Sequence, residues 1–196
     1  SKAKQNARHK HSTIAQRADN GLEGCRLAKA MMAAPKSRMM IEHLPMPVNS
    51  YDSEFGARTG PDSAVYFTSL RGEVNSEDEL QDTANYHAHI FKTREMSGSW
   101  TDPVPLELPD PGVRDQANSA WSLDGRWVYF SQDDGGGLFS IRAIVRDHPE
   151  RPTVLVIGGE GASCTQPMVA KVNGVQTFFF VKTNTGAASD MDIWSC

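Results

Sequence analysis

An all-β chain of repeated antiparallel sheets is what this sequence predicts, and three related segments predict it. In Ala120-Trp121-Ser122-Leu123-Asp124-Gly125-Arg126-Trp127-Val128-Tyr129-Phe130-Ser131 an Asp-Gly pair separates two apolar runs, and the second run alternates Trp127, Tyr129 and Ser131 against Val128 and Phe130. Asp-Gly in that setting is a strong hairpin signal, because Gly and Asx residues take the positive φ of tight turns at least cost. The arrangement recurs upstream in residues 60–69, ending on Tyr66-Phe67, and downstream in residues 172–181, ending on Phe178-Phe179-Phe180. The aromatic runs lie about 63 and then about 50 residues apart, the spacing of a repeat architecture.

The elements follow in order. Residues 1–20 are polar and basic without a clear period. From Gly21 the residues Leu22, Cys25, Ala28 or Lys29, and Met32 fall at helical spacing among good helix formers, and Pro35 disfavours helix in the residue before it. This predicts a short amphipathic helix that buries a Leu-Met stripe. Residues 46–50 and 52–56 link into the first hairpin, and no helix is expected beyond residue 57. Strands are expected over residues 57–59, 64–69, 88–94, 119–122, 127–132, 138–145, 153–156, 167–172, 176–182 and 192–195. Residues 99–106 and 151–155 read as outer strands, since their prolines suit a sheet edge. Four-stranded antiparallel units recurring every ~45 to 60 residues describe propeller blades. The fold class is therefore all-β, a partial β-propeller with a short N-terminal helical segment. Residues 1–35 form a basic arm and helix, and residues 36–196 about two and a half blades.

Composition narrows the partners. The chain of 196 residues is 39% hydrophobic and carries a net charge of -4. Residues 1–17 hold Lys2, Lys4, Arg8, Lys10 and Arg17 and no acid, which leaves about -9 for the remainder. An acidic body speaks against nucleic acid as a partner. No run of 18 apolar residues exists to span a bilayer. Cys25, Cys164 and Cys196 lack the spacing of a zinc site, and either one bridge or three thiols fits them.

Residues 123–131 followed by Asp133-Asp134-Gly135-Gly136-Gly137 resemble the WD40-like (PD40) repeat of TolB-type propellers, as do residues 60–69 and 186–194; residues 97–106 resemble its outer strand. A helix containing Gly21-Leu22-Glu23-Gly24-Cys25, then Pro47-Val48-Asn49-Ser50, then Ser53-Glu54-Phe55-Gly56, then the first blade, is similar to Bacteroidetes envelope proteins that join tetratricopeptide helices to a propeller and an OmpA-like domain. Some members of that group serve type IX secretion. The resemblance implies a non-catalytic scaffold or protein-interaction propeller at the periplasm or outer membrane, with other envelope proteins or further blades of the same protein as partners. TolB-type rings close with six or more blades, so the remaining blades must come from more of this protein or from another chain. The OmpA-like peptidoglycan-binding domain is not among these residues. A carbohydrate- or peptide-binding propeller, and the propeller portion of a hydrolase, are the alternatives.

Asp62, Tyr66, Phe67, Asp124, Gly125, Tyr129, Phe130, Asp192 and Trp194 occupy the repeat-motif positions, where a structural role is expected. The resemblance gives Asp192 the part of fixing blade geometry through hydrogen bonds. Trp121, Trp127, Phe130, Phe179 and Trp194 read as packing between blades. Long insertions in such scaffolds carry docking loops, so Glu77, Asp78, Glu79, Asp82 and Tyr86 of the acidic insertion are the candidate partner-binding residues. His87 and His89 share a strand face but need a third ligand to hold a metal, and satisfied histidines explain them better. Asp133 to Gly137 lacks the Lys-Ser/Thr and following helix of a phosphate loop. Neither a Gly-x-Ser-x-Gly elbow nor a His-Glu-x-x-His pair is present. No catalytic set, metal or cofactor is expected.

Overall fold

The computed structural model describes residues 13–33, 41–71, 87–109, 114–159, 161–183 and 191–196. The chain divides into two compact units, Ser1–His43 and Leu44–Cys196.

In the first unit the helix α1 spans Thr13–Ala33. It starts eight residues before the apolar periodicity does, because Ala15, Gln16, Arg17 and Ala18 favour helix without contributing a stripe. The expected buried Leu-Met stripe is not observed. Of its residues, Cys25, Ala28, Lys29 and Met32 are exposed, Met32 at 86%, and Leu22 is half-buried. Intrinsic propensity and an i,i+3 pair between Glu23 and Arg26 support this helix instead.

The second unit is all-β. Its first sheet orders β1 (Glu54–Thr59), β2 (Val65–Ser69), β3 (His89–Thr93) and β6 (Val104–Pro105). The second orders β10 (His148–Val154), β9 (Leu138–Val145), β8 (Trp127–Gly135) and β7 (Gln116–Trp121). The third has β11 (Ser163–Val172), β12 (Val175–Thr183) and β13 (Met191–Ser195). Every pairing is antiparallel. The outer strand expected over residues 99–106 is split. Ser99–Trp100 (β5) forms a small hairpin with Glu95–Met96 (β4), and Val104–Pro105 pair with β3, where the Leu106 N–H also donates to the Ile90 carbonyl. Pro103 and Pro105 bring no N–H to a longer ladder.

Alternation along each strand stacks the sheets. Ala64, Tyr66 and Ile90 of the first sheet meet Val128, Phe130 and Ile144 of the second. Tyr129 and Ile141, on the other face of the second, meet Cys164, Phe178 and Phe180 of the third. The far face of the first sheet, carrying Phe67 and Phe91, is covered by Leu44, Val48 and Trp100. Burying a side chain such as Phe130, which is 0% exposed, contributes ~1.5–3 kcal/mol. The described strands do not close into a ring.

The first strand of each sheet carries one bulge, and the three bulges are equivalent. Register shifts lie between Phe55 and Arg58, between Ala117 and Ala120, and between Thr165 and Met168. Each contains a left-handed residue: Gly56 (φ 65°), Asn118 (φ 57°) and Gln166 (φ 54°). Hydroxyls link one sheet to the next at these points. The Asn118 N–H donates to Thr68 Oγ1 and the Gln166 N–H to Ser131 Oγ, both at 2.9 Å.

The hairpin at Asp124-Gly125 is longer than a two-residue turn. The Gly125 N–H donates to the Ser122 carbonyl, the Ser122 N–H to the Trp127 carbonyl, and only Gly125 has positive φ. The first sheet has the corresponding turn one residue shorter, closed by the Gly60 N–H on the Ala64 carbonyl, with Ser63 (φ 60°) at the position of Gly125 and its N–H donating to the Gly60 carbonyl. Asn173-Gly174 (φ 49° and 86°) is a two-residue turn with both central residues left-handed.

Candidate interaction surface

The repeat-motif residues fall into two turns, the packed faces of the first two sheets and the exposed strand β13. Asp62 organises the first turn. Its Oδ1 accepts the Ala64 N–H at 3.3 Å, its Oδ2 lies 2.7 Å from Lys92 Nζ, and Arg94 Nη2 donates to the same oxygen. The Tyr66 hydroxyl donates to the carboxylate at 3.2 Å, and Lys92 also sits 5.5 Å from the Tyr66 ring centre. Burial alone would raise the Asp62 carboxyl. The Lys92 hydrogen bond, the Ala64 amide and the charges of Lys92 and Arg94 together outweigh it and hold the group at about 2. This is a satisfied ion cluster.

Asp124 is exposed and accepts from the Ser122 hydroxyl and the Arg126 N–H, which lower its pKa. Gly125 is buried against Pro61 of the neighbouring sheet: a Cβ there would lie 2.8 Å from Pro61 Cβ. Phe67, Tyr129 and Phe130 pack as described above, and the Tyr66 ring lies tilted against Trp121 with the ring centres 4.9 Å apart.

The outer face of the first sheet is closed by a second polar cluster. Arg71 places its guanidinium 5.4 Å from the Phe67 ring centre and 4.9 Å from that of Phe91. It donates to the Pro47 and Val48 carbonyls and pairs with Glu54 at 3.3 Å. Glu54 would be raised by burial, but hydrogen bonds from Ser50 and Ser69 and the charge of Arg71 bring it below the ordinary carboxylate range.

The third sheet has no such cover among the described residues. Cross-strand partners share a face, so Met168–Phe179, Val181–Ile193 and Thr183–Met191 line up on the side away from the second sheet. Met168, Met191 and Ile193 are 46%, 66% and 78% exposed, and Phe179 and Val181 are half-buried. The far edge of β13 has no partner strand among the described residues. Phe179 thus does not pack between two sheets of the described residues, and Trp194, across from Phe180 on the other face, is too exposed for the inter-sheet packing expected of it. Phe179 occupies the register position of Tyr66 and Tyr129 but faces outward, because the described chain lays nothing over it. Trp194 is 45% exposed and carries the Lys182 ammonium 4.6 Å from its ring centre. Asp192 is exposed opposite Lys182 in register, and its carboxylate makes no hydrogen bond among the described residues.

Glu77, Asp78, Glu79, Asp82 and Tyr86 lie outside the described residues. His87 Nδ1 lies 3.4 Å from Asp115, while burial and then His87 lower the pKa of His89. Among the described residues no three His, Cys, Asp or Glu side chains gather to hold a metal ion. Asp133 accepts the Gly135 N–H and Asp134 pairs with Arg142 at 2.7 Å, so this loop is tied to its own hairpin. Cys25 and Cys196 are exposed thiols and Cys164 a buried one, raised by desolvation. No helix among the described residues is long and apolar enough to cross a membrane. No protein-family model matches this sequence, and no curated protein matches it either.

Sequence reasoning missed two things. The bulge residues Asn118 and Gln166 are not obvious left-handed formers in an apolar context, and their only sequence signal is the Tyr-Phe-Thr/Ser that accepts their amides one sheet away. The open face was hidden because Met168, Phe179 and Ile193 look like core residues until the topology shows which face they share.

Proposed function

We propose that this chain is a non-catalytic protein-interaction module, a rigid stack of propeller-type sheets whose third sheet receives an antiparallel β-sheet of another protein. The observation that carries this reading is the uncharged face of Met168, Phe179, Val181, Met191 and Ile193 beside the edge of β13, which has no partner strand among the described residues. A contiguous exposed apolar face marks an interaction site, and an open strand edge offers a row of main-chain donors and acceptors to a partner strand. The occupant follows from continuity. The faces of Tyr66 and Tyr129, equivalent in register to that of Phe179, are each covered by a sheet. The resemblance to TolB-type envelope propellers supports a place for this work at the periplasmic side of the outer membrane, among secretion or gliding components.

A photo-crosslinking residue at position 193, in the protein produced in its native host, tests this reading. The reading expects a crosslink to a β-strand segment of a different polypeptide, lost in a Met168→Asp background. A crosslink confined to the same polypeptide, or none beyond that seen from exposed Leu123, would overturn it.

A further inference from the structure

The three equivalent bulges lie side by side, and they form the walls of a cleft of about 260 Å³ lined by Phe55, Gly56, Arg58, Asn118, Ser119, Gln166 and Pro167. The cleft is independent of the open face of the third sheet. Four hydrogen-bonding side chains line it: one guanidinium, two carboxamides and one hydroxyl. No carboxylate does.

These polar groups are unspent. The Arg58 guanidinium donates only to the carbonyl of its neighbour Ala57, at 3.0 Å, and has no acidic partner among the described residues. Asn118 and Gln166 use their main-chain N–H groups in the inter-sheet links, and their side-chain amides make no hydrogen bond among the described residues. Ser119 is 2% exposed, and its hydroxyl is buried without a partner among the described residues. A buried hydroxyl left unsatisfied costs ~1–3 kcal/mol, so in most proteins it is paired. An orphan hydroxyl beside a cleft of otherwise unengaged donors is what a site looks like when its ligand is what completes the hydrogen bonding.

We infer that this cleft binds a single carboxylate group. One fixed positive charge matches one negative charge, and the planar fork of a guanidinium matches the two oxygens of a carboxylate. Neutral amide and hydroxyl donors complete its shell, as in ligand sites where few convergent polar groups set orientation. A doubly charged phosphate would find one cation in the lining, on a chain of net charge -4. Phe55, which is 41% exposed, offers the apolar wall for whatever bears the carboxylate. The cleft volume limits that body to about the size of one amino-acid residue, since drug-sized sites start near ~300 Å³. The carboxylate is either that of a small free acid or the terminal one of a peptide.

The backbone explains why three strands converge here. Gly56 takes the left-handed bulge position where a Cβ would stand 2.7 Å from Asn118 Oδ1, so a side chain at residue 56 would push the Asn118 amide aside. The glycine keeps that amide in the cleft.

Calorimetric titration with N-acetylalanine, N-acetylalanine amide and an acetylated tripeptide with a free C-terminus tests the site. The acids are expected to bind and the amide not to. Arg58→Gln should weaken the acids about tenfold or more, the scale of one charge-assisted hydrogen bond. Because Arg58 is exposed, that variant should keep the wild-type melting temperature. Ser119→Ala gives an independent reading: it should weaken binding while raising the melting temperature of the ligand-free protein, since it deletes a buried group that has no partner. Preference for the tripeptide over N-acetylalanine would assign the peptide terminus as the source, and the reverse a free acid. Equal binding of acid and amide, undiminished binding by Arg58→Gln, or no heat with any probe at millimolar concentration would overturn the inference, and would leave the reading of the third sheet untouched.

Discussion

The Ser131 hydroxyl of the second sheet accepts the N–H of Gln166 in the third at 2.9 Å, and Thr68 does the same for Asn118 one sheet earlier. Both hydroxyls are buried, Thr68 at 0% and Ser131 at 2% exposure. Sheets that stack only through apolar side chains can slide. A main-chain donor fixed to a hydroxyl on the neighbouring sheet gives each interface one register.

Removing either link should therefore be costly in proportion to a buried unpaired amide. Thr68→Val and Ser131→Ala are each expected to lower stability by about 1–3 kcal/mol in urea unfolding. A change under half a kcal/mol would mean that water satisfies the freed N–H.

The two corresponding turns predict opposite effects from opposite exchanges. Gly125→Ala places a Cβ in the left-handed region and against Pro61, and should cost about 1–2 kcal/mol or more. Ser63→Gly relieves the same backbone conformation in the first sheet and should be neutral or stabilising by up to about 1 kcal/mol. Urea midpoints of the two variants compared with wild type decide this.

Asp62 gives a pH signature. Its carboxyl is held at about 2 in the fold, against an ordinary 3.8. A depressed carboxylate stabilises the fold fully above its unfolded value, and that contribution disappears as pH falls toward the folded value. The stability gap between wild type and Asp62→Asn should thus be constant above about pH 5, shrink as pH falls through 4 to 2, and disappear only about one unit below the folded value. A gap as large at pH 2 as at pH 6 would show that the carboxylate charge is not what Lys92 and Arg94 hold.

The apolar face should be dispensable to the chain itself. Ile193→Asp replaces a side chain that is 78% exposed, and should shift unfolding by no more than about 0.5 kcal/mol. A large loss would place Ile193 in the core of this unit.

Much of this fold is legible in the sequence, because antiparallel sheets advertise themselves by alternation and turn residues. Trp127 to Ser131 and the glycines at 125 and 174 place hairpins that the structure contains. The α1 start at Thr13 was not legible, since Ala, Gln and Arg set propensity without periodicity. The face of Phe179 was not legible either, because an outward and an inward aromatic on a strand look alike until the neighbouring sheet is placed. The cleft depends on three bulges converging from strands about 50 to 60 residues apart, and no local pattern reports such convergence. Glu77 to Tyr86 lie outside the described residues, so the docking loop read from the acidic insertion has no geometry to set beside it.

Hydrogen exchange of the protein alone, and of the complex extracted from its native host, tests the interaction reading most directly. The account predicts that the amides of Met191, Ile193 and Ser195, which point to the open edge, exchange quickly in the isolated protein and are strongly protected in the complex, while those of β8 stay protected in both. Equal exchange of these three amides in the two states would contradict it.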